Sequence, residues 1–286
     1  MIYTSPQDWR DASHKSILLY GMSGLGKTHL ANMLRAGGDW FHYSIDYRIG
    51  TRYLGEHIGD NMKREAIKNP FLRDLLMSDS IRLSPKISFH NLTPVASYLG
   101  KPGAPGLGGL PMAEYKRRQA QFRNGEIAAL NDTGFFIDRA RDIYGYSHFV
   151  CDTGGSICEW IDPDLGGDDP LIKTLAERCL MVWIKGSDAH TQELVRRFDA
   201  APKPMAYQPA FLDRVWQEYL KENNIKEDDV NPDDFIRATY AKALVHRQPL
   251  YEAMAPHGVT VMAEQVAEVK TAEEFTDLIA QALEGP

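Results

Sequence analysis

The sequence predicts an α/β protein: a three-layer α/β/α core around a five-stranded parallel sheet, with helical insertions that form a cap and a lid. Five short apolar runs, 16–20, 40–45, 148–151, 180–184 and 259–262, have the composition of strands buried on both faces. Segments with helical spacing separate them, the alternation that builds a parallel sheet with crossover helices. Residues Gly21 to Thr28 read G-M-S-G-L-G-K-T, directly after the first apolar run.

The first strand and its glycine turn set the chemistry. A strand, a glycine-rich turn and a helix N-terminus together form an anion cradle, and His29 to Leu34 begins a helical pattern where that helix must start. Backbone N–H groups of Gly21, Met22, Ser23, Gly24, Leu25, Gly26, Lys27, Thr28 and His29 are the expected phosphate contacts. Lys27 supplies a mobile positive charge for the β and γ phosphates, and Thr28 a hydroxyl for Mg²⁺. ATP and Mg²⁺ are therefore the expected cofactors.

The remaining strands are separated by two long interruptions, 55–146 and 200–245, inside one domain spanning 1–286. The first holds a helix expected over 62–76, a glycine- and proline-rich stretch over 99–111 read as a hinge, and a charged helix over 112–130. The second holds a helix over 211–222, and Asn231-Pro232-Asp233-Asp234 reads as a further helix start. Segments this long inside a compact protein are more often functional than idle.

Composition narrows the function classes. The 286 residues are 43% hydrophobic and 25% charged with a formal net charge of −7, an ordinary globular balance that opposes bulk nucleic-acid binding. No run of about 18 apolar residues is present to cross a bilayer, and the expected compartment is the cytosol. Cys151, Cys158 and Cys179 fit neither a redox pair nor a zinc site and read as small buried residues. Asp162 to Asp169 is acidic like a calcium loop, but Lys173 stands where a bidentate glutamate belongs, so it reads as an exposed turn.

Beyond the phosphate loop, four further segments occur in an order that resembles the shikimate kinase family. Tyr43 to Gly50 is similar to the family's D-x-D-x-x-I, with Ser44 at the first aspartate and Asp46 at the second. Asp152-Thr153-Gly154-Gly155-Ser156 is close to its T-G-G-G turn. Val182 to Ser187 and the helix bearing Arg196 and Arg197 are similar to its lid approach, and Arg247 to Ala255 matches R-x-P-L-Y-x-x-x-A. The resemblance covers about half of the chain and implies a phosphate-loop kinase acting on a small anionic metabolite.

The resemblance also implies roles. Asp46 would accept or orient the proton of the acceptor hydroxyl, Arg247 would hold an anionic acceptor beside Gly154 and Gly155, and Arg196 and Arg197 would close on ATP. Arg64 joins the acceptor set only because it falls on the helix after Asp46. With Ser44 replacing the first aspartate, Asp152 is the carboxylate expected to join Thr28 at the metal, in the Walker B position. Lys203-Pro204 stands where the lid carries Arg-Pro, and lysine lacks the bidentate fork.

Other readings place different demands on the same residues. The phosphate loop also resembles that of replication-initiator and helicase-loader ATPases, which carry a glutamate after the Walker B aspartate to activate water. Here Thr153 comes after Asp152. A nucleotide-binding module without turnover needs only the cradle. The basic run Lys116, Arg117, Arg118 and Arg123 reads first as a solvated helix face and second as a phosphate clamp. Oligomeric state leaves no mark in the sequence.

Overall fold

A computed structural model describes residues 1–285. Its strands are β1 (Ser16–Tyr20), β2 (Trp40–Ser44), β3 (His148–Asp152), β4 (Leu180–Lys185) and β5 (Gly258–Met262). They form one sheet in the order β2-β3-β1-β4-β5, parallel at every pairing. The expected α/β fold with a five-stranded parallel sheet is thus present, and each expected strand lies within a residue of its run.

The helices, in chain order, are α1 (Pro6–Asp11), α2 (Lys27–Ala36), α3 (Ile45–Arg48), α4 (Gly55–Ile67), α5 (Pro70–Met77), α6 (Thr93–Leu99) and α7 (Met112–Asn131). After these come α8 (Thr133–Asp142), α9 (Pro170–Ala176), α10 (Asp188–Ala200), α11 (Pro209–Asn223), α12 (Pro232–Met254), α13 (Ala263–Glu268) and α14 (Ala272–Glu284). None is long and apolar enough to cross a membrane.

The chain divides into two compact units. The first comprises Met1–Ile45, Ile127–Pro202 and the residues from Arg237 onward; the second comprises Asp46–Glu126 and Lys203–Ile236. In the first unit the sheet is covered on both faces, because successive side chains of a strand point opposite ways. Trp40 of β2 meets Phe275 of α14, whereas Phe41 and Tyr43 stack on Phe136 of α8. β1 runs through the centre with Ile17, Leu18 and Leu19 fully buried, which is why it reads as an uninterrupted apolar run. Trp9 of α1 is also fully buried, its indole N–H donating to the Thr276 carbonyl of α14 at 2.9 Å.

The second unit is helical. The helix expected over 62–76 is two helices, and the correction has a local cause: Asn69 Oδ1 accepts from the backbone of Phe71 (3.0 Å) and Leu72 (3.2 Å) while Pro70 opens α5. An asparagine cap followed by proline is a start signal that ends the preceding helix. The glycine-rich stretch closes on itself, Leu110 N–H donating to Lys101 O (2.8 Å) and Gly103 N–H to Leu110 O (2.9 Å). A side chain at Gly109 would lie 2.5 Å from the Gly103 backbone, so the glycine serves close approach. Asn231 caps the next helix start as expected, accepting from Asp233 and Asp234.

The basic run on α7 is largely structural. Arg118, only 8% exposed, donates to Asn61 of α4 at 2.9 Å, to Glu114 at 2.7 Å and to the Tyr98 carbonyl of α6. Arg117 also donates to Glu114, and Lys116 pairs with Asp213 of α11 at 2.7 Å. With Arg117 and then Arg118 donating to it, the Glu114 carboxyl is held at about 2. The helix face thus meets neighbouring elements and its own carboxylate.

Candidate functional site: the loop after the central strand

The phosphate loop leaves β1 at the C-terminal edge of the sheet, where ligands of open α/β sheets bind. Gly21, Gly24 and Gly26 all have positive φ, at 137°, 92° and 95°, the region that glycine enters without strain. Gly21 is further constrained by approach: a Cβ there would stand 2.5 Å from the Ile184 carbonyl oxygen of β4. One at Gly24 would meet Leu194 of α10 at 2.6 Å. The glycines therefore turn the loop and let β4 and α10 close on it.

Lys27 opens α2 and is 5% exposed. Its ammonium donates to the carbonyls of Gly21 (2.7 Å) and Met22 (2.8 Å), holding it across the loop from within. Ser23, Gly24, Thr28 and His29 are exposed, and Met22 and Leu25 are buried beneath them. The loop thus offers polar backbone outward over an apolar footing.

Asp152 ends β3. It is the register partner of Leu19 in β1 on one side and of Ser44 in β2 on the other. It is 5% exposed, and its Oδ1 has no hydrogen-bond partner. An orphaned buried carboxylate oxygen is costly unless something else satisfies it. His42 of β2 stands beside Asp152, Nε2 3.7 Å from Oδ2, a contact longer than a hydrogen bond that becomes an ion pair when the imidazole is protonated.

The donor set fits Mg²⁺. Among the described residues no three His, Cys, Asp or Glu side chains gather to hold a metal alone. Mg²⁺ typically takes one or two carboxylates, a hydroxyl and phosphate oxygens, and Asp152 Oδ1 and the Thr28 hydroxyl are donors of the types it would need from the protein. Thr153, next in chain, turns inward: its hydroxyl (2.9 Å) and N–H (3.3 Å) both donate to Leu19 O.

The turn after β3 packs on the phosphate loop. A Cβ at Gly155 would lie 2.5 Å from the Ser23 hydroxyl oxygen and 3.1 Å from the Ser23 backbone nitrogen, so the two turns approach closely there. Behind this turn, Tyr251 of α12 donates its hydroxyl to Gly155 O at 2.6 Å, and its ring lies 6.3 Å from that of Tyr20, the last residue of β1. Both phenols are raised above their usual range by burial first.

Arg247 lies one helical turn before Tyr251. It is 3% exposed and its guanidinium donates to the Glu159 carboxylate, whose side chain is wholly buried. Burial opposes its charge, but the Glu159 carboxylate holds the Arg247 pKa above its ordinary value. The anion that Arg247 meets is internal, which the R-x-P-L-Y pattern does not reveal.

Arg196 and Arg197 are exposed on α10, both donating to Glu193, with contacts of 2.6 and 2.7 Å. Arg196 first, then Arg197, hold the Glu193 carboxyl at about 2. The serine turn after β4 carries a further cluster, with Ser187 Oγ 2.8 Å from His190 Nδ1 and His190 Nδ1 3.3 Å from Glu264. Ser187 and His190 form the capping box of α10.

The phosphate loop, Asp152, Gly154, Gly155 and Arg247, with Arg196 and Arg197 on α10, all belong to the first unit. Asp46 and Arg64 belong to the second unit. Asp46 is half-buried, two residues beyond β2, and Arg64 is exposed on α4, where Glu65 pairs with Lys68 at 2.6 Å. The acidic 162–169 segment is a turn whose last residue, Asp169, caps α9 through the N–H groups of Leu171 (2.9 Å) and Ile172 (3.0 Å). His42 and Glu159 belong to no motif, and nothing in their local sequence marks either.

No protein-family model matches the chain, and no curated protein matches it. Among solved structures, the chain is similar to shikimate kinase from Bacteroides thetaiotaomicron, at 17% identity and a TM-score of 0.43 over 94% of this chain and 98% of that one.

Proposed function

We propose that the protein binds Mg-ATP at the loop after β1 and transfers the γ-phosphoryl group to a hydroxyl of a small molecule. The observation that carries this reading is the pairing of a glycine-turned phosphate cradle with a buried carboxylate whose Oδ1 has no hydrogen-bond partner, both at the C-terminal edge of adjacent strands. Phosphoryl transfer demands positioning and charge neutralisation more than covalent chemistry. Backbone N–H groups of the loop would orient the phosphates, and Lys27 would exchange its loop carbonyls for β and γ oxygens. Thr28 and Asp152 would hold Mg²⁺, which when bound neutralises the charge building on those oxygens.

Transfer is favoured over hydrolysis by the residue after Asp152. A water-activating carboxylate at that position is replaced by Thr153, whose hydroxyl is committed to Leu19 O. Asp46 is assigned to the acceptor proton on its chain position just past β2, and Arg196 and Arg197 to the departing nucleotide. With the Arg247 guanidinium donating to Glu159, an anionic acceptor would have to displace that carboxylate or meet another cation.

A coupled ADP-release screen over hydroxy acids, sugars and nucleosides, with Lys27→Ala as control, tests the reading. Stimulation by one acceptor with matching phosphorylated product supports it. Full-rate ADP release without any acceptor overturns it in favour of a regulatory or mechanical ATPase.

A further inference from the structure

Asp152 is held in a way its strand position does not require. On β2, Trp40, His42 and Ser44 share one sheet face, and their register partners on β3 are His148, Val150 and Asp152. The His42 ring therefore starts beside Val150, one pleat short of Asp152, and reaches forward to it. Its side chain is wholly buried, that of Asp152 is 6% exposed, and Nε2 stands 3.7 Å from Oδ2. β2 is an edge strand of the sheet, yet the His42 side chain on it is as buried as Ile17, Leu18 and Val150 on the strands inside.

We propose that His42 is a positioning residue: its Nε2 edge holds Oδ2 of Asp152 and thereby turns Oδ1 toward a divalent cation beside the phosphate loop. This rests on the metal role given to Asp152 above. The two oxygens have different surroundings, Oδ2 facing the imidazole and Oδ1 having no hydrogen-bond partner. A carboxylate with one oxygen in an electrostatic contact favours one direction for the other, whereas one with neither oxygen contacted rotates about its last torsion. Outer partners of metal-binding carboxylates set affinity in this way, without touching the ion.

The test measures Mn²⁺ affinity of the ADP-bound protein by the electron paramagnetic resonance of unbound Mn²⁺, alongside ADP affinity without metal. His42→Leu is expected to weaken Mn²⁺ binding by about 10- to 100-fold and leave metal-free ADP affinity unchanged. His42→Gln, whose amide reaches about as far as Nε2, is expected to restore most of the loss. The proposal is overturned if His42→Leu binds Mn²⁺ as wild type does. It is equally overturned if His42→Gln is as weak as His42→Leu, or if metal-free ADP affinity falls in parallel, since the residue then acts through the fold. Asp152→Asn separates this from the larger reading: unchanged Mn²⁺ affinity in that variant removes the metal role of Asp152 itself.

Discussion

Ser44 and Asp152 are register partners at the C-terminal ends of β2 and β3. The position that carries a carboxylate in the resembling motif therefore holds a hydroxyl, and the carboxylate stands directly across on the next strand. Adjacent strands lie about 4.8 Å apart, a distance that a metal's hydration shell spans. Asp152→Ser is expected to lower metal-dependent turnover by roughly 100-fold. Adding Ser44→Asp to that variant is expected to recover part of the loss, measured as the Mg²⁺ dependence of ADP release. No recovery would mean that the two positions are not interchangeable at the metal.

Gly21→Ala should damage the cradle more than Gly24→Ala. At Gly21 the added methyl meets the rigid Ile184 carbonyl oxygen at 2.5 Å, whereas at Gly24 it meets the end of Leu194 at 2.6 Å, which can rotate away. Both also carry the strain of positive φ, about 1–3 kcal/mol. Thermal melting and nucleotide affinity of the two variants check the order, and equal effects would refute it.

Removing one half of the Arg247–Glu159 pair leaves a buried charge alone. Either Arg247→Met or Glu159→Leu is expected to destabilise by about 3–5 kcal/mol, and the double change by far less. Denaturant unfolding of the four proteins closes the cycle. Additive losses would show that the pair is not coupled.

Glu193 gives a pH dependence with a definite sign. Its carboxyl is held at about 2 by Arg196 first and then Arg197, so its folded value lies below its unfolded one. A depressed acid contributes stability that is present above its unfolded pKa and is lost as pH falls toward about 2. Because the group is solvent-exposed, salt should weaken the effect. Carboxyl carbon NMR titration of Glu193 should show the low value in wild type and an ordinary one, about 4.3, in Arg196→Ala/Arg197→Ala.

Cys151 and Cys179 should be silent toward thiol reagents in the native protein. Both are wholly buried. Burial is the leading cause that lifts the Cys151 thiol well above its usual value and pushes Cys179 up to about 12. Reaction of either at neutral pH without denaturant would contradict the packing, with mass spectrometry locating the label.

The features legible in the sequence are those that depend on near neighbours in the chain. β1 is apolar from Ile17 to Leu19 because both its faces are covered, and the phosphate loop is defined by eight consecutive residues. The break at Asn69-Pro70 is legible too, but apolar periodicity outweighs the cap signal. Glu159 and His42 are not legible, because their meaning comes from partners far along the chain: Arg247 on α12 for one, Asp152 on β3 for the other. Arg247 is visible as part of a pattern, yet the pattern says nothing of a buried glutamate 88 residues away.

The Arg247–Glu159 pair also constrains how the chain can change over generations. Each single substitution passes through a state with one uncompensated charge inside the fold, so selection would remove most lineages that attempt it stepwise. Among descendants of a common ancestor, positions 159 and 247 are therefore expected to be charged together or apolar together. Such paired inheritance would record the contact in sequences alone, where neither residue announces it.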